Sequence, residues 1–113
     1  MLYLCIRKLE NIVLTKSFTI MRVENLFRNG RSVPNQFEIV TENGVYMQSY
    51  DRVCVRLAKT GVTISKWWCY SPTTLKYVKQ FLIGHGFYVT SKSDIQRLIK
   101  NGEICLVESI DLV

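Results

Sequence analysis

The chain has 113 residues and a net charge of +6, with 15 Lys and Arg against 9 Asp and Glu. This length suits one domain with its own core, and 48% hydrophobic residues exclude wholesale disorder. No apolar run approaches the ~18 residues of a membrane-spanning helix, and Met1-Leu2-Tyr3-Leu4 has no basic stretch ahead of it to read as a signal peptide.

Residues 1–20 read as an N-terminal extension or an edge strand, and Met21 is a possible alternative start. The single folded domain is expected over residues 21–113. Residues 28–35 are rich in turn formers and predict a loop. A sheet then begins with alternating Gln36, Phe37, Glu38 and Ile39. Asn43-Gly44 predicts a type I′ hairpin turn, since both residues accept positive φ. Val45 and Met47 continue on the return strand. Val53, Val55 and Leu57 alternate with Arg52, Cys54 and Arg56, which places the two arginines on one wetter face. Lys59-Thr60-Gly61 predicts a three-residue loop with Gly61 left-handed. Val62 and Ile64 lead up to Trp67 and Trp68.

Ser71 is a good N-cap and Pro72 suits the first helical position, whose N–H is unpaired anyway. A helix is predicted from Pro72 to about Ile83, with Leu75, Val78, Phe81 and Leu82 inward. Gly84-His85-Gly86 stops it, and Phe87-Tyr88-Val89 reads as a short strand. Ser91 or Ser93 caps a second helix bearing Ile95, Leu98 and Ile99, closed by Asn101-Gly102. Ile104–Val107 is a last strand. The expected fold is α+β: an antiparallel meander of about four strands, two helices on one face, and a final strand.

The four cysteines are Cys5, Cys54, Cys69 and Cys105, and none forms a CxxC pair. They read as reduced thiols, with a disulfide framework as the weaker alternative. His85 is the lone histidine, so neither a zinc site nor an oriented base is visible. No phosphate loop or paired-carboxylate site occurs. The expectation is a soluble, intracellular chain without catalysis, cofactor or metal.

The candidate site is the aromatic cluster Trp67, Trp68 and Tyr70 beside the helix start. Adjacent strand residues face opposite ways, so one tryptophan should enter the core and the other reach the rim. With Lys76, the exposed ring makes a stacking surface or an interface anchor. Arg52 and Arg56 have a spacing that matches successive phosphates or an acidic protein patch. Arg28 and Arg31, in the predicted loop, form a second basic set with Arg22. The structural alternatives are two buried tryptophans and a merely solvated arginine face.

Asn35-Gln36-Phe37, Gln48-Ser49-Tyr50-Asp51, and Trp68 with Tyr70-Ser71, Thr73-Thr74, Lys76-Tyr77 and Phe81-Leu82 form ordered blocks. Over roughly residues 21–83 they resemble a family of small uncharacterised proteins from bacteriophages and related mobile elements. In that family the last block has an aspartate where Cys69 stands here, so no acidic role carries over to that position. The resemblance implies a phage-type accessory protein that binds host or viral machinery. The expected partner is a host protein or ribonucleoprotein, such as a CRISPR-type defence complex that the chain inhibits. Direct DNA or RNA binding is the alternative, and a virion structural part or an enzyme comes third. The polar block residues also have a plain reading, as turn and helix-cap hydrogen-bonding groups.

Overall fold

The computed structural model describes residues 20–112. The expected extension or edge strand over residues 1–20 lies outside the described residues except for Ile20, which opens the first strand, and Cys5 lies outside them too.

The fold is α+β, with a single six-stranded sheet in the order β1 to β6. The strands are β1 (Ile20–Arg28), β2 (Arg31–Thr41), β3 (Gly44–Ser49), β4 (Arg52–Ala58), β5 (Gly61–Ser65) and β6 (Ile104–Val107). The first five form an antiparallel meander, one strand longer than expected. β6 pairs parallel to β5. A parallel neighbour needs a long crossover, and the 3₁₀ turn Lys66–Cys69, helix α1 (Pro72–Gly84) and helix α2 (Lys92–Lys100) supply it.

The predicted loop over residues 28–35 shrinks to Asn29-Gly30. Both residues have positive φ, 54° and 77°, as a two-residue I′ turn requires. The rest of that segment belongs to β2. Its departure from regular pairing comes later: four residues, Val33 to Gln36, lie opposite Leu26 alone between the Phe27–Ser32 and Asn25–Phe37 pairs. Pro34 falls within this bulge, where no ladder N–H is required, and Asn35 takes a φ of +64°.

The turn expected at Asn43-Gly44 is displaced by one residue and is not type I′, since neither Glu42 nor Asn43 has a positive φ. Glu42-Asn43 make the turn, and Gly44 opens β3 opposite Thr41. The Thr41 hydroxyl accepts from the Asn43 N–H at 3.1 Å and donates to the Gly44 carbonyl at 3.1 Å. Gly44 is needed for close approach: a Cβ there would lie 2.4 Å from the Leu57 carbonyl oxygen. The β4–β5 loop is likewise two residues, Lys59-Thr60, and Gly61 pairs with Ala58 as a strand residue.

A bulge at Cys54 overturns the expected face of β4. Gln48 pairs with Val53 and Met47 with Val55, so Cys54 is an extra residue without a partner. Each bulge residue reverses the alternation beyond it. Arg52 therefore points to the helix side of the sheet, and Arg56 to the other side. The valines split in the same way. Val55 joins Met47, Ile64, Trp68, Val78, Leu82 and Ile95 in the core beneath the helices. Val53 joins Ile39, Tyr46, Ile110 and Leu112 in a second core on the opposite face. That face is thus not the wetter one expected, because the segment after β6 packs on it.

Helix α1 starts as the sequence dictates. Ser71 Oγ accepts from the Thr74 N–H at 3.1 Å, and Pro72 occupies the first turn. Its buried stripe is Thr74, Tyr77, Val78, Phe81 and Leu82, with Leu75 only half-buried. Phe87-Tyr88-Val89 is not a strand. The Phe87 N–H closes on the Leu82 carbonyl at 3.0 Å, ending the helix, and Val89 is buried. Ser91 caps α2 by position without a side-chain cap bond. Asp94, in the first turn, reaches back past the cap and accepts from both the N–H and the hydroxyl of Thr90 at 2.8 Å. Those bonds hold its carboxyl below the usual aspartate range. No helix among the described residues is long and apolar enough to cross a membrane.

Candidate functional site

Three elements meet beside the start of α1. The first is the β2 bulge at Asn35. The second is the two-residue turn Tyr50-Asp51 between β3 and β4. The third is the 3₁₀ turn with the helix start that follows it. The first braces the second, and the second and third, with the adjoining ends of β3 and β4, enclose a cleft of about 360 Å³ lined by Ser49, Tyr50, Asp51, Arg52, Cys54, Trp67, Tyr70 and Thr74.

Tyr50 is the strained member, with a φ of +56°. Bulky residues rarely adopt this left-handed conformation, which costs about 1–2 kcal/mol. Two hydrogen bonds hold it there. The Tyr50 N–H donates to the Asn35 carbonyl at 2.6 Å, and Gln48 Nε2 donates to the Tyr50 carbonyl at 2.8 Å. The result is a tyrosine ring left 51% exposed at the cleft. The expected turn is therefore present, and Gln48 supplies the side-chain bond that braces it. Asp51 lies 3.7 Å from Arg52 Nε.

The tryptophans divide as expected, through a different geometry. They sit in a 3₁₀ turn, not at a strand end. Trp68 is 5% exposed and belongs to the core under the helices. Trp67 is half-buried at the rim. Arg52 Cζ lies 4.2 Å from the Trp67 ring centroid and Lys66 Nζ 5.0 Å. Lys66 is also paired with Glu108. Tyr70, 75% exposed, meets Trp67 edge-on with centroids 5.5 Å apart. The cleft wall is completed by hydroxyls: Ser49 Oγ and Thr74 Oγ1 are 2.9 Å apart, and Ser71 Oγ donates to Thr74 Oγ1 at 3.2 Å.

Cys54 lies against this cleft, but its chemistry is muted. Burial pushes its thiol up to about 12, and a backbone hydrogen bond from Ser49 offsets that only in part. At neutral pH it is a protonated, weakly nucleophilic group. Cys69 is half-buried and Cys105 exposed, both as free thiols. Alkylation of the native protein at pH 8, mapped by mass spectrometry, should therefore modify Cys105 rapidly and Cys54 only on unfolding. Equal rates at the two positions would contradict the buried, protonated thiol.

The other expected site residues lie apart from the cleft lining. Arg56 emerges on the opposite face, where its Nη2 donates to Thr63 Oγ1 at 3.2 Å. It neighbours Tyr46, whose phenol burial pushes up in pKa while Arg56 opposes the shift. The expected joint face of Arg52 and Arg56 is thus lost to the Cys54 bulge. Lys76 sits on α1 with its ammonium 5.0 Å from the Tyr77 ring centroid. Arg28 donates to Gln80 Oε1 at 3.3 Å, tying the β1–β2 turn to α1. Arg31 is exposed beside that same turn. Arg22 pairs with Glu24 and Glu38, and Glu38 also meets His85 Nε2 at 3.2 Å. Among the described residues no group of three or more His, Cys, Asp or Glu is placed to hold a metal ion.

Sequence reasoning missed Tyr50, Ser49, Asp51 and Thr74 as lining residues, reading them as turn and cap groups. The signal was in the spacing of the blocks. Asn35-Gln36-Phe37, Gln48 to Asp51, and Trp67 to Thr74 are separate along the chain and converge here.

No match was found among curated proteins or among solved structures. Residues 8–97 match a family of unknown function, DUF8033, and the match takes in every element that builds the cleft. The chain belongs to that family.

Proposed function

We propose that this chain is a non-catalytic binding protein that docks on a protein partner through the Trp67 cleft. The observation that carries this reading is the convergence of three separate sequence blocks on one exposed aromatic rim, bought with backbone strain at Tyr50. Trp, Tyr and Arg are the residues that dominate protein interfaces when they surround a concave centre. Strain of this kind clusters at working sites, because folding alone gives no reason to retain it.

The same blocks resemble small phage and mobile-element proteins. On that footing the partner is a host protein or ribonucleoprotein, with a nucleic-acid-handling defence complex the leading choice and inhibition the outcome of docking. Direct nucleic-acid binding is the second reading, favoured by the +6 charge and by exposed Arg31. One feature weighs against it: Arg52 and Arg56 point to opposite faces and cannot track one phosphate strand.

Titration with generic DNA and RNA at low and high salt separates the readings. A direct binder loses affinity steeply as salt rises, through counterion release. The docking reading predicts weak binding to both nucleic acids at physiological salt, and specific retention of one host protein by the immobilised chain. Tight, steeply salt-dependent nucleic-acid binding with no protein retained would contradict it.

A further inference from the structure

Of the residues lining the cleft, Arg52 alone is positively charged. Its Nε faces Asp51 at 3.7 Å, while among the described residues its two Nη atoms take no hydrogen-bond partner. The Trp67 ring beside it limits where the guanidinium can lie. A fork of N–H donors fixed in this way matches a carboxylate in bidentate fashion. The rest of the wall carries the rings of Tyr50, Trp67 and Tyr70, with the Cys54 thiol, the Ser49 and Thr74 hydroxyls and Asp51 beside them. The volume of about 360 Å³ lies at the small end of ligand sites, roughly 300–1,000 Å³, and suits a side chain or two.

We infer that the cleft takes an acidic–hydrophobic peptide segment of the protein partner. An apolar side chain enters between Tyr50, Trp67 and Tyr70, and a neighbouring carboxylate closes on the Nη edge of Arg52. This rests on the docking reading above and adds the chemistry of what docks. Asp51 narrows the choice further. Its carboxylate repels a doubly charged phosphate more strongly than a singly charged carboxylate, while occupying the Nε side and leaving the Nη edge clear. The overall positive charge of the chain favours approach of an acidic segment.

The test is selection of a random heptapeptide library, displayed on ribosomes, against the full-length chain. Enriched peptides should carry an aliphatic or aromatic residue within two positions of Asp or Glu. A synthetic peptide of that pattern should bind Arg52→Ala and Tyr70→Ala about tenfold or more weakly, with both variants melting as the parent does. Excess inorganic phosphate should not displace it. Enrichment without acidic residues, enrichment that survives Arg52→Ala, or displacement by phosphate overturns the inference. If no peptide is enriched, yet Arg52→Glu still abolishes retention of a host protein, the acidic-peptide chemistry is rejected and the docking reading stands. If acidic peptides are enriched and Arg52-dependent while no host protein is retained, the chemistry is upheld and the host-partner reading falls.

Discussion

Replacing Trp68 with alanine should destabilise the protein by about 3–5 kcal/mol, the usual cost of removing a large aromatic from a packed core. Trp68 is almost wholly buried and packs in the cluster that contains Met47, Val78 and Leu82. Its neighbour should behave in the opposite way. Trp67 is half-buried at the rim and held by exposed cation–π contacts worth about 0.5–1 kcal/mol. Trp67→Ala should therefore cost little stability and remove partner binding. Urea denaturation and partner retention, measured on both variants, decide the matter. Equal losses of stability would mean that the 3₁₀ turn does not separate the two rings as described.

The two arginines should part company just as sharply. Arg52→Glu places a carboxylate at the cleft wall, beside Asp51, and should weaken partner binding by about 30-fold or more, the hot-spot range. Stability should change by only about 0.5 kcal/mol, because Arg52 is exposed. Arg56→Glu should do the reverse. It breaks the bond to Thr63 Oγ1 and sets a carboxylate next to the buried Tyr46, costing about 1–3 kcal/mol. Binding per folded molecule should be unaffected. The control is Lys92→Glu at an exposed position of α2, which alters the net charge by the same amount as Arg52→Glu. A loss of binding in that control equal to the loss in Arg52→Glu would show that bulk charge, and not a localised site, governs the interaction.

The contrast between those arginines shows where local sequence patterns stop informing. Val53, Val55 and Leu57 alternate cleanly, and alternation ordinarily means one buried face. Here both faces are buried, one by the helices and one by Ile110 and Leu112, so apolar residues on either side of the Cys54 bulge look alike in sequence. A bulge hidden inside such a pattern leaves no compositional trace. Helix α1 was legible because Ser71 and Pro72 act locally, through one hydroxyl and one missing N–H. The β6 bounds were legible for a similar reason, since Asn101-Gly102 ends α2 just before the apolar run. Asn-Gly was a sound signal misassigned: Asn29-Gly30 makes the I′ turn, whereas Gly44 is fixed by the Leu57 carbonyl, a contact made by a strand that comes later in the chain.

The candidate site was half legible. Trp67, Tyr70 and Arg52 were expected at an interface, and they do come together. The division of labour between Trp67 and Trp68 followed from strand alternation, yet a 3₁₀ turn, with about 120° between successive residues, delivers the same separation. Tyr50 could not be read as a display residue. Its left-handed backbone contradicts tyrosine's own preference and exists only because Asn35 and Gln48 brace it from elsewhere. Convergence of that kind is a tertiary property.

Tyr50→Gly is the most direct test of the claim that this turn serves binding. Glycine adopts the positive φ without steric cost, relieving about 1–2 kcal/mol, while its greater unfolded-state entropy returns roughly 0.5–1 kcal/mol. The ring that is lost is half exposed and buries little. Equilibrium denaturation should thus show stability unchanged or raised by up to about 1 kcal/mol, and retention of the partner on the same preparation should fall to background. A variant destabilised by more than about 2 kcal/mol that still retains the partner would contradict the account, because Tyr50 would then be a structural residue and the cleft beside it no docking site.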